Sequence, residues 1–168
     1  MRLKKLGLVA LVSFLISLSG SLSYAIEEGE QAPLFTLANI EANEPPIVLE
    51  SFRGKTVYVD FWASWCAPCL RSMPLMDDLY VKYRDRDFEV IAINVDTSVE
   101  DGQDFLADNP VSYHIALDTE NTVLSEYGVI GMPTSYLVDK NGIVQMVHMG
   151  FKENDIEHIE KAILELIE

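Results

Sequence analysis

The stretch Val57-Tyr58-Val59-Asp60-Phe61-Trp62-Ala63-Ser64-Trp65-Cys66-Ala67-Pro68-Cys69 decides the reading of this chain. Its first half has the residue types of a buried strand, and its second half holds the only 2 cysteines of the protein. If a helix starts at about Cys66 or Ala67, Cys66 lies against unpaired backbone N–H groups and the positive end of the helix dipole, which favour a thiolate. Cys69 then falls one turn further along the same face, within reach of Cys66 and screened from solvent. Pro68 fits a first helical turn, where the N–H it lacks has no intrahelical partner to lose. Two thiols so placed can close and reopen a disulfide, with Cys66 attacking and Cys69 resolving.

Three other uses of the pair compete with this one. A structural zinc site needs about four ligands. Here the cysteines have only His114, His148 and His158 to draw on, and these are scattered along the chain. A c-type haem attachment needs His directly after the second cysteine, where this chain has Leu70. A purely structural disulfide is compatible with export, but a loop this short constrains the unfolded chain little. No metal and no cofactor is therefore expected.

Outward from this centre, strands and helices alternate. Residues 56–62 read as a central strand, followed by a helix with Leu70, Met73, Met76, Leu79, Tyr80 and Tyr83 on one face, which Pro74 is expected to bend. A second buried strand is expected at 88–95, a helix at 99–107, a strand at 113–117 and a helix at 120–127. Strands at 135–138 and 143–147 flank Asn141-Gly142, a hairpin signal. A final amphipathic helix covers 155–167, with Asn154 as its expected cap and Glu157 three residues on. Residues 26–46 read as a leader to the core, with 47–49 a short strand. The pattern is an α/β sandwich around a mixed central sheet.

The first 25 residues read as a targeting segment. Arg2, Lys4 and Lys5 precede an apolar stretch at 6–18 and a small-residue region ending Ser23-Tyr24-Ala25. Cleavage after Ala25 is the simplest expectation; an uncleaved anchor spanning residues 6–26 is the alternative. Residues 26–168 then form one domain in an exported compartment, most simply a periplasm. Loss of the three basic leader residues takes the net charge from −15 to −18, which argues against nucleic-acid or anionic-membrane binding. Membrane contact is expected only through an uncleaved leader.

With these motifs in place, the chain closely resembles the thioredoxin superfamily, and most of all its exported TlpA- or ResA-like thiol:disulfide reductases, which carry a redoxin-type domain. The resemblance rests on residues 29–35 (GEQAPLF), 52–55 (FRGK), 59–69 (VDFWASWCAPC) and 127–134 (YGVIGMPT). It implies a thioredoxin-like fold with an N-terminal extension and an inserted helix and strand at about 96–117. It assigns Met132-Pro133 to a cis-proline loop that pairs with an extended substrate segment, and it places Trp65, Ala67 and Pro68 on the substrate side, with Trp62 packed around the site. Asp60 interrupts an apolar strand, and a buried carboxyl there should have a raised pKa and take up the proton of Cys69. Thioredoxin has an acid at the matching position.

Three departures accompany the resemblance. Ala92 stands where thioredoxin has a lysine near that acid, Ser72 where some exported relatives have glutamate, and Thr134 where the cytochrome-c-maturation branch carries glutamate. The implied activity is reduction of disulfides in exported proteins, apocytochromes c among the candidates, with electrons from a membrane donor. A disulfide oxidase or isomerase of the same fold is the nearest alternative, and a non-catalytic binding or chaperone module a more distant one. A peroxiredoxin-type peroxidase fits poorly, because Ala63 and Val59 occupy the positions of its Thr or Ser and its Pro.

Overall fold

The computed structural model describes residues 25–168, and the expected targeting segment therefore lies almost wholly outside the described residues. Among those residues no helix is long and apolar enough to cross a membrane. Seven strands form one sheet in the order β2-β1-β5-β4-β3-β6-β7. They are β1 (Thr36–Asn39), β2 (Ile47–Val48), β3 (Thr56–Trp62), β4 (Phe88–Asn94), β5 (His114–Leu117), β6 (Thr134–Val138) and β7 (Val144–Met149). The helices are α1 (Ala67–Tyr83), α2 (Val99–Asp108), α3 (Thr122–Glu126) and α4 (Asp155–Ile167). Strands β3, β4 and β5 run parallel, while β1, β2, β6 and β7 join antiparallel, which is the mixed sheet the sequence pattern requires.

β3 and β4 are buried along their whole length, as expected of central strands covered on both faces. α2 and β5 are the inserted pair, and β5 sits between β4 and β1. Glu89 is the charged exception within β4, and it is held by Lys55 Nζ at 2.6 Å, with His114 Nε2 3.3 Å away. The hairpin at Asp139–Gly142 closes as expected. Gly142 takes a left-handed φ of 84°, and the Asp139 carboxylate accepts the Asn141 and Ile143 N–H groups.

Several local expectations differ from what forms. β1 lies in the segment read as a leader; its four residues pair with β2 and β5 but carry no strong alternation. α1 itself runs unbroken from Ala67 to Tyr83 with Pro74 inside it. Asn154 does not cap α4: its backbone is already helical and its side chain makes no capping bond, while the Asp155 carboxylate accepts the Lys152 N–H at 2.8 Å. α3 is shorter than expected, and its first turn is anchored from outside, by the Asp118 carboxylate accepting the Thr122 and Leu124 N–H groups.

An aromatic cluster ties these parts together. Phe61 on β3 packs against Tyr127 (ring centroids 5.3 Å apart) and Tyr136 (6.1 Å), and those two rings meet at 4.9 Å. The Tyr136 hydroxyl donates to Tyr127 O and the Tyr127 hydroxyl to Pro33 O, both at 2.9 Å. The buried phenols thus spend their polar ends on backbone carbonyls of the loop before β6 and of the N-terminal segment. Phe61→Ala should therefore cost about 3–5 kcal/mol of unfolding free energy. Urea unfolding followed by circular dichroism at equal redox state measures it.

Candidate active site

β3 delivers the chain to the end of the sheet, and the Cys66 loop leaves from there. Val95 N–H donates to Trp62 O at 3.0 Å, extending the β3–β4 pairing to the last residue of the strand. Beyond it, the turn is held by Asp96, which is buried. Its carboxylate accepts the Ser64 N–H (2.9 Å), the Ser64 hydroxyl (3.0 Å) and the Asn94 amide (2.8 Å). Gly102 of α2 lies against Asn94, where a Cβ would come within 3.0 Å of the amide oxygen. Sequence reasoning missed Asp96; the only available signal was an acid directly after a buried strand.

Cys66 is the N-cap of α1. Its backbone is extended, with φ −86° and ψ 93°, and Cys69 N–H donates to its Sγ at 3.3 Å. The sulfur thus sits at the N-terminus of a 17-residue helix, the positive end of its dipole, as the sequence pattern anticipated. Cys66 and Cys69 form a disulfide with Cα atoms 5.3 Å apart. Cys69 is fully buried, whereas Cys66 retains 4% exposure. Ala67 is exposed and Pro68 half-buried beside them. Among the described residues no group of His, Cys, Asp and Glu side chains could hold a metal.

The Met132–Pro133 peptide bond is cis. Antiparallel pairing of Phe61 with Thr134 puts Pro133 at the end of β3 from which the cysteine loop departs. The loop is fastened by the Thr134 hydroxyl donating to Gly131 O (2.7 Å) and by Gly150 N–H donating to Pro133 O (2.8 Å). The two tryptophans part company. Trp62 is buried against Phe105 of α2, with centroids 5.1 Å apart, while Trp65 is 70% exposed beside the disulfide.

Asp60 is buried on the opposite face of β3 from Val59 and Phe61. Its neighbour across β4 is Ala92, which offers no charge, and its neighbour across β6 is Ser135, whose hydroxyl donates to Oδ1 at 2.8 Å. Burial pushes the Asp60 carboxyl up to about 7, against the opposing pull of that hydrogen bond. Burial and the nearby Asp60 charge likewise drive the Tyr58 hydroxyl far upward, so it stays protonated. Ser135, unremarked in the sequence reading, is thus the direct partner of the acid. The Ser72 hydroxyl only returns to Cys69 O at 3.2 Å.

The site geometry has counterparts among known proteins. The redoxin family model matches residues 27–163. The chain belongs to the redoxin family. It is 32% identical to the thiol-disulfide oxidoreductase ResA of Bacillus cereus over 173 residues, which span 96% of this chain and 99% of that one. With ResA of Geobacillus thermodenitrificans it shares 37% identity over 138 residues, 81% and 78% of the two chains. A crystal structure of a Chlorobium tepidum protein assigned as a DsbE thiol:disulfide interchange protein superposes with a TM-score of 0.82 at 39% identity, covering 86% of this chain and all of that one. A Bacteroides thetaiotaomicron protein assigned as a protein disulfide isomerase superposes with a TM-score of 0.78 at 29% identity, covering 88% and 94%. This redoxin-family chain is a thiol-disulfide oxidoreductase with a thioredoxin-like fold.

The raised Asp60 carboxyl makes stability depend on pH. Between about pH 4 and pH 7 the folded state holds a proton that the unfolded state has released, so stability falls as pH rises through that window and levels off above it. Asp60→Asn removes this dependence. The stability gap in favour of the variant should widen by up to about 1.4 kcal/mol per pH unit across the window, then hold constant, in denaturant titrations of the oxidised proteins.

Proposed function

We propose that the protein is an exported protein-disulfide reductase. The observation that carries the reading is the closed Cys66–Cys69 pair at the N-cap of α1, with the cis Met132–Pro133 loop at the same end of the sheet. In the reduced enzyme the Cys66 thiolate, favoured by the helix N-terminus, attacks a partner disulfide and forms a mixed disulfide. The partner's first sulfur leaves as a thiolate and is protonated. Asp60 takes the proton of Cys69, whose thiolate then displaces the second partner sulfur and closes the Cys66–Cys69 bond. Trp65, Ala67, Pro68 and the Met132 backbone meet the substrate segment, which adds to the loop as a strand. A membrane protein returns two electrons and two protons to the pair. Export is supported by the basic, apolar and small-residue order of the first 25 residues, and a periplasm is the compartment that fits.

The direction of exchange follows from the potential of the pair. Nothing in Ala67-Pro68 stabilises the reduced form by charge, so equilibration with glutathione should place the pair near thioredoxin's value of about −270 mV. A value near the −120 mV or so of a dedicated disulfide donor overturns the reductase reading. A Cys69→Ala variant should accumulate mixed disulfides through Cys66 in cells, and Cys66→Ala should accumulate none. Absence of mixed disulfides from the Cys69→Ala variant would instead favour a non-catalytic binding module.

A further inference from the structure

Beside the cis-proline loop, on the face of the sheet that carries the Phe61–Tyr127–Tyr136 cluster, lies an open cavity of about 470 Å³. Ile26, Val129, Ile130, Tyr136, Val147 and Met149 supply its apolar wall. It adjoins the redox loop: Thr134, the residue after Pro133, lines it, and Met149 is the cross-strand partner of Thr134 on the edge strand β7. Ile130 is 90% exposed and Met149 68%. Such apolar exposure at a concave site marks a surface that is covered in use.

The charges at the rim are of one sign. Glu27 and Glu28 line the cavity and are exposed, and among the described residues no Lys or Arg lines it. Glu28 is held in place, with its Oε1 accepting the Val147 N–H at 3.4 Å. A wall of aliphatic and aromatic carbon bounded by two carboxylates is complementary to an apolar side chain followed by a cation. An extended segment laid along the cis-proline loop advances about 3.3 Å per residue, and because Thr134, the residue after Pro133, lines the cavity, such a segment runs past its mouth.

We propose that this groove is a client-specificity site: it takes a bulky apolar residue next to Lys or Arg in the polypeptide whose disulfide is exchanged. The proposal builds on the reductase reading in naming the client chemistry. The apolar side chain covers Ile130 and Met149, and the cation meets Glu27 and Glu28.

The test separates binding from redox turnover. Peptides with Ser in place of the reacting cysteine, and with Leu-Arg, Leu-Glu or Ser-Arg placed two to five residues away, are titrated into the oxidised full-length protein by calorimetry. Reduction of a small aromatic disulfide by the dithiol form is followed separately. Leu-Arg peptides should bind about tenfold more tightly than Leu-Glu or Ser-Arg peptides. Glu27→Lys with Glu28→Lys should reverse the Arg/Glu preference, and Ile130→Ser with Met149→Ser should remove the Leu/Ser preference. Because each result is a ratio between peptides for one protein, a general loss of affinity does not imitate it. Equal binding of all peptides overturns the proposal, whether the groove is then filled by residues 1–24 or by a second copy. So does a preference that survives both double variants. Failure to reduce the small disulfide counts against the reductase reading and leaves a measured binding preference standing.

Discussion

The placement of β3 between β4 and β6 is the constraint on which the site depends. Parallel pairing with β4 carries Val95 and Asp96 to the exit of the cysteine loop, and antiparallel pairing with β6 carries Pro133 to the same end. One strand thereby sets the turn before Cys66 and the loop that faces it. Because β3 is buried on both faces, its register is specified by packing, and a slip of one residue would exchange Asp60 for Val59 or Phe61 against the wrong layer.

Local environment has opposite consequences at the two ionisable positions. Cys66 lies at a helix N-terminus, where backbone N–H groups favour the charged sulfur. Asp60 lies inside the sheet sandwich with a single hydroxyl donor, where loss of water favours the neutral acid. The proposed exchange draws on this contrast between a sulfur at a helix N-terminus and an acid disposed to hold its proton. Ala92 withholds the cation that would have reversed the balance at Asp60, and Ser135 supplies only a hydrogen bond.

Most of the fold was legible because its signals are local and strong. The runs at β3 and β4 are apolar throughout, the Asn141-Gly142 turn specifies a hairpin, and α4 repeats Ile and Leu at helical spacing, so its expected bounds match those found. β1 was not legible, since four residues without alternation become a strand only when β2 and β5 lie beside them. Asn154 has the residue type of a cap, yet the chain enters α4 with that residue already helical, and Asp155 takes the neighbouring N–H. In the site, Cys66, Cys69 and Asp60 stood out by residue type. Ser135 and Asp96 did not, because each acts on a residue from a different strand or loop.

The sequence by itself determined the redox pair, the helix that begins there and the strand that precedes it, since the spacing of two thiols, a proline in a first turn and an unbroken apolar run are properties of neighbouring residues. Tertiary structure alone decided which hydroxyl meets the buried acid, which carboxylate holds the cysteine loop, how far Trp62 and Trp65 differ in exposure, and that an apolar groove opens beside Pro133. Those depend on strand order and register, which bring together residues 75 positions apart at Asp60 and 119 apart where Glu28 meets Val147, and leave no trace at either position alone.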